Sequence, residues 1–365
     1  MNLFEIIHNG ILFSGITAAG LSGLLIATQA WHGRYSNDTA DGPQKFHTAF
    51  TPRIGGIAIF FALVVNCFFS PEPVSQLLRL MLIAGFPAFV AGLTEDITKK
   101  VSVLKRLFAT MLSGVLAWWL TGYTLTSVEI WGLDQILVYL PLSLAFTAFA
   151  VAGVANAVNM IDGFNGLASG TLMICFFALG LVALQVGDRT VAEICFTIII
   201  VLAGFMVYNF PFGKIFMGDG GAYLLGFLLA WVSVMLPLRN PGVSVWAPMV
   251  VCAYPINETI ITIARRALSR YPLGLPDNRH LHSLIKVKVV RQYFRHLNPS
   301  MRNSLVSPFC WSYAAIISAT GVALYNQTSI LIAAWLGSLL LYILIYATLS
   351  RMGAPDEANV ATSAE

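Results

Sequence analysis

The run Ile136–Ala155 passes directly into Asn156-Ala157-Val158-Asn159-Met160-Ile161-Asp162-Gly163-Phe164-Asn165-Gly166-Leu167. The run is mainly apolar and matches the roughly 20 residues a helix needs to cross hydrocarbon. That reading decides the fold class: an all-α polytopic membrane protein. Three amides, a carboxylate and two glycines at the end of such a helix are costly there unless they bind something polar. The stretch is therefore expected to be a binding site and not a connector.

Composition agrees. Apolar residues make up 57% of the 365-residue chain and charged residues only 10%, whereas about a quarter of a soluble domain is charged. The mean hydropathy is +0.76. The net charge of +4 implies no nucleic-acid partner; in a membrane protein the placement of the cations carries the information. Cys67, Cys175, Cys195, Cys252 and Cys310 lie inside apolar runs with no CxxC spacing, and read as small hydrophobes in helix packing. The first apolar run carries Glu5, lacks a basic leader and shows no small-x-small cleavage pattern before Trp31, so it reads as a retained span.

Windows of about 20 residues place eleven spans near 9–30, 54–70, 75–94, 103–121, 135–155, 166–186, 190–208, 220–236, 243–264, 306–325 and 329–350. Every Lys and Arg except Arg79, Arg189 and Arg239 falls in or beside the loops after odd-numbered spans, or in the tail. The positive-inside rule makes those loops cytoplasmic, with the amino terminus outside and the carboxyl terminus inside. A single integral-membrane domain over 1–350 is expected, with site loops at 31–53, 95–106, 156–166, 209–221 and 265–302. The tail, 351–365, is polar from Gly353 on and reads as disordered. No internal repeat is evident.

The same face collects the unusual polar residues. Pro52-Arg53-Ile54-Gly55-Gly56 is a rigid turn that aims a guanidinium at it. Glu95 and Asp96 are adjacent acids followed by Lys99, Lys100, Lys105 and Arg106. They read either as a solvated helix start complementing the helix dipole or as a carboxylate pair that holds Mg²⁺ or orients a phosphate. Asp219, between Gly218 and Gly220-Gly221, sits at the mouth of an apolar span. A simple turn explains the glycines, but an acid poised there is better read as a ligand for a hard divalent cation. His280 and His282 lie in a loop with nine basic residues and no cysteine. That loop reads as a grip for a phosphate or pyrophosphate, or more blandly as a basic loop drawn to anionic lipid. On an extended backbone the two rings would face the same side. Glu258, inside the ninth span, either pairs with Arg265 or supports the site. Cations for phosphate, acids for Mg²⁺ and amides for a nucleobase or sugar converge on one face. Together they suggest a magnesium-dependent transfer between a lipid phosphate and a soluble nucleotide conjugate.

These motifs resemble the MraY/WecA family of polyprenyl-phosphate N-acetylhexosamine-1-phosphate transferases over nearly the whole chain. The specific signals are Asn156-x-x-Asn159-x-x-Asp162-Gly163-x-Asn165-Gly166-Leu167 and Phe216-Met217-Gly218-Asp219, with the Pro-Arg-x-Gly-Gly and His-x-His segments in support. The resemblance implies a bacterial inner-membrane enzyme, its site on the cytoplasmic face, that transfers a HexNAc-1-phosphate from a UDP-N-acetylhexosamine to undecaprenyl phosphate and releases UMP. It implies Mg²⁺, with Mn²⁺ as a substitute, held by Asp219 with Asn159 and Asp96 as further ligands. Glu95, Asp96, Asp219, His280 and His282 would be the catalytic set. Phe216 would stack on uracil and Asn165 meet its edge, with Asn209, Asp162, Asn156, Arg53 and Arg279 completing substrate binding. Membrane lipid is a partner throughout, and homodimers occur in the family.

The chain departs from the family pattern in telling places. Glu95-Asp96 replaces the family's usual pair of aspartates; where the MraY branch has Thr-Met, three consecutive histidines and Asp, this chain has Arg53-Ile54, His280-Leu281-His282-Ser283 and Asn165. The last three place the chain on the WecA-like side, toward O-antigen or other surface-polysaccharide initiation with UDP-GlcNAc as default donor. The rivals are a phospho-N-acetylmuramoyl-pentapeptide transferase and, in another class, an ion-coupled transporter. Against the transporter, such sites usually lie at mid-membrane in repeated halves.

Overall fold

The computed structural model describes residues 9–38, 51–269 and 279–352. The expected disordered tail from Gly353, residues 39–50 of the first site loop, and Pro276 and Asp277 of the last one lie outside the described residues. In chain order the elements are α1 (Asn9–Ala27), α2 (Gln29–Ser36), β1 (Asn37–Asp38), β2 (Thr51–Pro52), α3 (Gly55–Phe69), α4 (Val74–Thr98) and α5 (Val103–Thr121). Next come α6 (Leu133–Leu137), α7 (Leu140–Met160), α8 (Leu167–Gln185), α9 (Arg189–Asn209), α10 (Gly218–Arg239), α11 (Trp246–Val251) and α12 (Ala253–Leu268). The chain continues with α13 (Leu281–Ile285), a π-helical segment (Lys286–Val290), α14 (Arg291–Tyr293), α15 (Pro299–Ser304), α16 (Val306–Ala323) and α17 (Thr328–Arg351). The protein is an all-α polytopic membrane protein.

Nine helical stretches among the described residues are long and apolar enough to cross a membrane. The sequence suggested eleven, and in the other two windows the apolar helix is short or broken. The 54–70 window becomes α3, whose 15 residues rise only about 22 Å, short of the roughly 30 Å hydrocarbon thickness. The 243–264 window breaks into α11 and α12 at Cys252. Pro255 has no N–H to give to the carbonyl of Val251, so the ladder fails there. The freed carbonyl accepts instead from Ser318 Oγ of α16 at 3.1 Å and Cys175 Sγ of α8 at 3.4 Å, so no bare acceptor is left in the apolar interior. All five cysteines are free and buried, as helix-packing residues should be.

Helix α10 is the axis. It is apolar on every face and buried almost throughout, from Gly218 to Pro237, as a helix enclosed by others must be. α3, α4, α7 and α8 pack around it. Two glycines permit the closest crossings: a Cβ on Gly92 of α4 would overlap the carbonyl of Asp219, and one on Gly56 of α3 would overlap the backbone N of Gly221. Both therefore bring neighbouring backbones onto the first turn of α10. In the half of α10 away from Asp219, an apolar cavity of about 250 Å³ opens between Phe146 and Val151 of α7, Val234 of α10 and Trp246, Met249 and Cys252 of the broken helix.

Candidate active site

The site is assembled from segments far apart in the chain. β1 and β2 form an antiparallel pair (Asn37 opposite Pro52, Asp38 opposite Thr51), and Arg53 N donates to Ser36 O at 2.8 Å. The following residues lie along the approach to α10: Phe216 N donates to Pro52 O at 2.8 Å, Gly55 N to Phe216 O at 3.0 Å and Gly56 N to Met217 O at 2.9 Å. This ladder sets Arg53 beside Asp219. Gly218, at φ +73°, makes the turn into α10, and a Cβ there would strike the carbonyl of Arg53, so the position needs glycine for both conformation and space.

Asp96 and Asp219 face each other across that turn. Asp96 Oδ1 accepts from Asp219 N at 2.9 Å and its Oδ2 from Gly220 N at 2.8 Å. It thus caps the first turn of α10, where a negative charge also meets the positive end of the helix dipole. Arg53 Nη2 lies 3.1 Å from Asp219 Oδ1 and 3.6 Å from Asp96 Oδ1, while Arg106 at the start of α5 pairs with Asp219 Oδ2. The Arg106 guanidinium also lies over the Tyr223 ring at 5.5 Å, and Tyr223 OH donates to Asn156 Oδ1 at 3.2 Å. Asn156 and Asn159 sit one turn apart at the end of α7, both half-buried. Asp162 follows in the turn beyond α7. Burial pushes its carboxyl up to about 8, with Arg53 opposing the shift, Asp96 adding to it and the Gly218 N–H opposing it. Asp96, Asp162 and Asp219 thus gather around two arginines.

The histidines form a second wall. His280 has an extended backbone (φ −77°, ψ 156°), which sets His280 and His282 side by side with their rings stacked 5.1 Å apart. Both are buried, and Phe164 meets the His282 ring edge-on at 5.4 Å. Lys286 Nζ lies over the other side of this cluster, 5.9 Å from the Phe164 centroid. Burial brings its ammonium down to about 7, helped by Arg291 and Arg302. Burial also holds the His282 imidazole below the ordinary histidine range, against the pull of Glu258. The loop 161–166 joins the two walls, with Asp162 turned to the carboxylates and Phe164 to the histidines.

Several sequence expectations change here. Glu95 and Asp96 do not start a helix; they lie in the last turn of α4. Neighbours on a helix point about 100° apart, so only Asp96 reaches α10. Glu95 Oε2 accepts from Val101 N at 2.6 Å and ties the turn into α5. Glu258 supports the site: its carboxylate lies 3.1 Å from His280 Nδ1 and 3.5 Å from His282 Nδ1. Asn165 and Asn209 are buried and engaged within the protein. Asn165 Nδ2 donates to Pro211 O at 3.1 Å and Ser304 Oγ at 3.3 Å, and its Oδ1 accepts from Asn303 Nδ2 at 3.3 Å. Asn209 Nδ2 donates to Ile215 O at 2.8 Å, and its Oδ1 accepts from Gly166 N at 2.8 Å. These two amides brace the loops around Phe216, itself half-buried. Arg279 is exposed, with Tyr346 OH donating to its carbonyl at 3.0 Å. Arg106 was missed as a site residue; a cation opening an otherwise apolar helix is the signal that marks it.

Among the described residues, no three His, Cys, Asp or Glu side chains gather as a protein-only metal cage. The donor set does fit Mg²⁺, which takes one or two carboxylates and completes its shell with water and substrate phosphate oxygens. Asp219 and Asp96 are such a pair, and two guanidiniums already balance their charge from the sides.

These segments place three carboxylates and two guanidiniums around the first turn of a buried axial helix in a polytopic membrane protein. Residues 78–237 match the model of the glycosyl transferase family 4. A probable undecaprenyl-phosphate N-acetylglucosaminyl 1-phosphate transferase of Bacillus subtilis is 29% identical over 66% of this chain and 66% of its own length. An undecaprenyl-phosphate alpha-N-acetylglucosaminyl 1-phosphate transferase of Yersinia pestis is 28% identical over 66% of this chain and 67% of its own. A phospho-N-acetylmuramoyl-pentapeptide-transferase of Clostridium perfringens is 32% identical over 55% of this chain and 67% of its own. The matches span about two thirds of the length of these relatives. The chain belongs to glycosyl transferase family 4.

Proposed function

We propose that the protein transfers N-acetylhexosamine 1-phosphate from a UDP-sugar, UDP-GlcNAc by default, to undecaprenyl phosphate. An oxygen of the lipid phosphate attacks the sugar-side phosphorus, the bond from that phosphorus to the bridging oxygen breaks, and UMP leaves with that oxygen. The observation that carries the reading is the convergence of Asp96, Asp162, Asp219, Arg53 and Arg106 on the first turn of α10. The names of the Bacillus and Yersinia relatives support the acceptor and the sugar. The distribution of lysine and arginine supports a site on the cytoplasmic face, and the family resemblance supports a bacterial inner membrane.

Asp219 would hold Mg²⁺, or Mn²⁺ in its place, with Asp96 and Asn159 beside it. The bound ion would neutralise charge on the pyrophosphate. Arg53 and Arg106, held on Asp219, bring two guanidiniums to the place where phosphate oxygens would be bound. A phosphate monoester has its second pKa near about 6, so the lipid nucleophile is mostly dianionic at neutral pH. Asp96, already accepting two backbone N–H groups, then orients the reaction and need not remove a proton. Catalysis on this account is positioning plus electrostatics. Surface-polysaccharide initiation, O-antigen included, is the process this reaction would serve.

The Clostridium relative favours a second reading, transfer of a phospho-muramoyl peptide. One assay separates the two: UMP release from UDP-GlcNAc and from the muramoyl substrate, side by side. Release from the sugar nucleotide alone supports the proposal, and release from the muramoyl substrate alone overturns it.

A further inference from the structure

Glu258 is a carboxylate buried in α12, on the side of the histidines away from Gly163. Its Oε1 accepts from His280 Nδ1 at 3.1 Å and from Leu281 N at 3.2 Å, its Oε2 lies 3.5 Å from His282 Nδ1, and Thr262 Oγ1 lies 3.3 Å from His280 Nδ1. A carboxylate can only accept, so His280 Nδ1, 3.1 Å away, carries the proton; at His282 the carboxylate stands 3.5 Å from Nδ1, too far for a hydrogen bond, and favours the proton there by its charge. Nε2 is then the unprotonated nitrogen of each neutral ring, and it points the opposite way. For His282 that direction is known: its Nε2 lies 3.8 Å from where a Cβ on Gly163 would stand. Gly163 is the residue after Asp162, so His282 Nε2 faces the loop that joins the two walls.

We propose that Glu258 is a positioning residue that locks His280 and His282 in one tautomer, with both Nε2 atoms turned toward the loop at Gly163 and Phe164, where a substrate would meet them. The inference rests on the transferase reading for the identity of the substrate, and on this geometry alone for the tautomer. Held this way, each imidazole accepts from a sugar hydroxyl when neutral and donates to a phosphate oxygen when protonated. The ring stack and the Phe164 edge fix the plane of the imidazoles, while Glu258 fixes which nitrogen is outward. Glu258 also bonds the backbone N of Leu281, so the same carboxylate anchors the segment that carries both rings. The charged and titratable groups around this centre are Lys286 on the histidines' own segment, with Arg291 and Arg302 beyond it, and Tyr254, Cys310 and Tyr342 from α12, α16 and α17.

The test uses full-length protein in detergent or nanodiscs, comparing wild type with Glu258→Gln, Glu258→Asp, His282→Asn and the Glu258→Gln/His282→Asn double variant. Glutamine keeps the shape but removes the charge, and its amide can offer either nitrogen a partner. Glu258→Gln should lower kcat for UMP release about ten- to a hundredfold, with KM for the UDP-sugar within a few-fold. Its acid limb should move to lower pH, because the carboxylate no longer favours the imidazolium. Glu258→Asp should recover part of the rate. In the double variant Glu258→Gln should add little to His282→Asn, since both act through one imidazole. Additive losses, or an unmoved acid limb, would overturn the proposal. Nitrogen-15 histidine spectra supply a readout that needs no turnover: one Nδ1–H tautomer in wild type, a mixture in Glu258→Gln. A wild type without UMP release sinks the transferase reading, and the spectra then judge Glu258 separately; identical spectra in the two proteins sink the tautomer lock.

Discussion

Replacing Asp96 with Asn should be far more damaging than replacing its neighbour Glu95 with Gln, although the sequence presents them as a pair. Asp96 accepts two backbone N–H groups of α10, at 2.9 and 2.8 Å, and lies 3.6 Å from Arg53. Asparagine keeps one acceptor oxygen, but its amide nitrogen then confronts a second N–H. Hydrogen bonds to a charged group contribute about 1.5–3 kcal/mol each, and a buried group left unsatisfied costs about 1–3 kcal/mol. One lost bond and one orphaned donor therefore give a destabilisation of about 2.5–6 kcal/mol. Glu95, half-exposed, bonds only Val101 N among the described contacts, so Glu95→Gln should cost about 1 kcal/mol or less. The first turn of α10 also carries Asp219, so the Asp96 variant should lose at least about a hundredfold in kcat/KM, equal to about 2.7 kcal/mol. The assay is denaturant or thermal unfolding of the purified proteins in one detergent, run with UMP release. Equal stability and equal activity of the two variants would refute the cap and the division of labour between the acids.

Other positions give independent checks. Asp188 caps α9 and receives Arg239 Nε at 2.6 Å and Nη2 at 3.1 Å; although burial raises its carboxyl, these bonds hold it below the usual range. Its stabilisation is present above the ordinary aspartate pKa and lost as pH falls through the lower folded value. Asp188→Asn should thus be less stable than wild type at pH 7 by about 1–3 kcal/mol and should converge with it in strong acid, as unfolding curves at several pH values would show. Lys286, brought down to about 7 by burial, burdens the fold while it is protonated there. Lys286→Met should be the more stable protein below pH 7, with the gap closing as pH rises from about 7 toward the ordinary lysine pKa; a pH-independent gap contradicts the burial. Gly92→Ala pushes a methyl into the Asp219 carbonyl and should cost about 1–3 kcal/mol while depressing UMP release; full activity would mean that the α4–α10 crossing is looser than described.

Much of the fold was legible because hydrocarbon allows few choices: long apolar runs are helices, and α1, α4, α5, α7, α8, α9, α10 and α17 appear where the windows put them. The break at Cys252 was hidden because Pro255 is tolerated only through partners supplied by Ser318 and Cys175, 63 and 80 residues away. The acids, Arg53 and the histidines stood out as polar groups at membrane edges, but spacing could not separate Glu95 from Asp96. That distinction depends on which face of α4 meets α10. The resemblance gave Asn165 to the edge of uracil and Asn209 to the nucleotide pocket, and spacing could not reveal that both also brace backbone. Amides serve loops and ligands with the same atoms, and a sequence does not say which. Glu258 was ambiguous because its partners His280 and His282 lie 22 and 24 residues further along the sequence, beyond the end of α12.

The central claim is tested most directly by UMP release from purified protein given undecaprenyl phosphate and a panel of UDP-N-acetylhexosamines, with Mg²⁺ or EDTA, beside Asp219→Asn. The account predicts release that requires the lipid, is abolished by EDTA and restored by Mg²⁺ or Mn²⁺, and is lost in a folded Asp219→Asn protein. Lipid-dependent release that survives both EDTA and Asp219→Asn would contradict the assigned metal centre, and no release with any sugar would contradict the reaction.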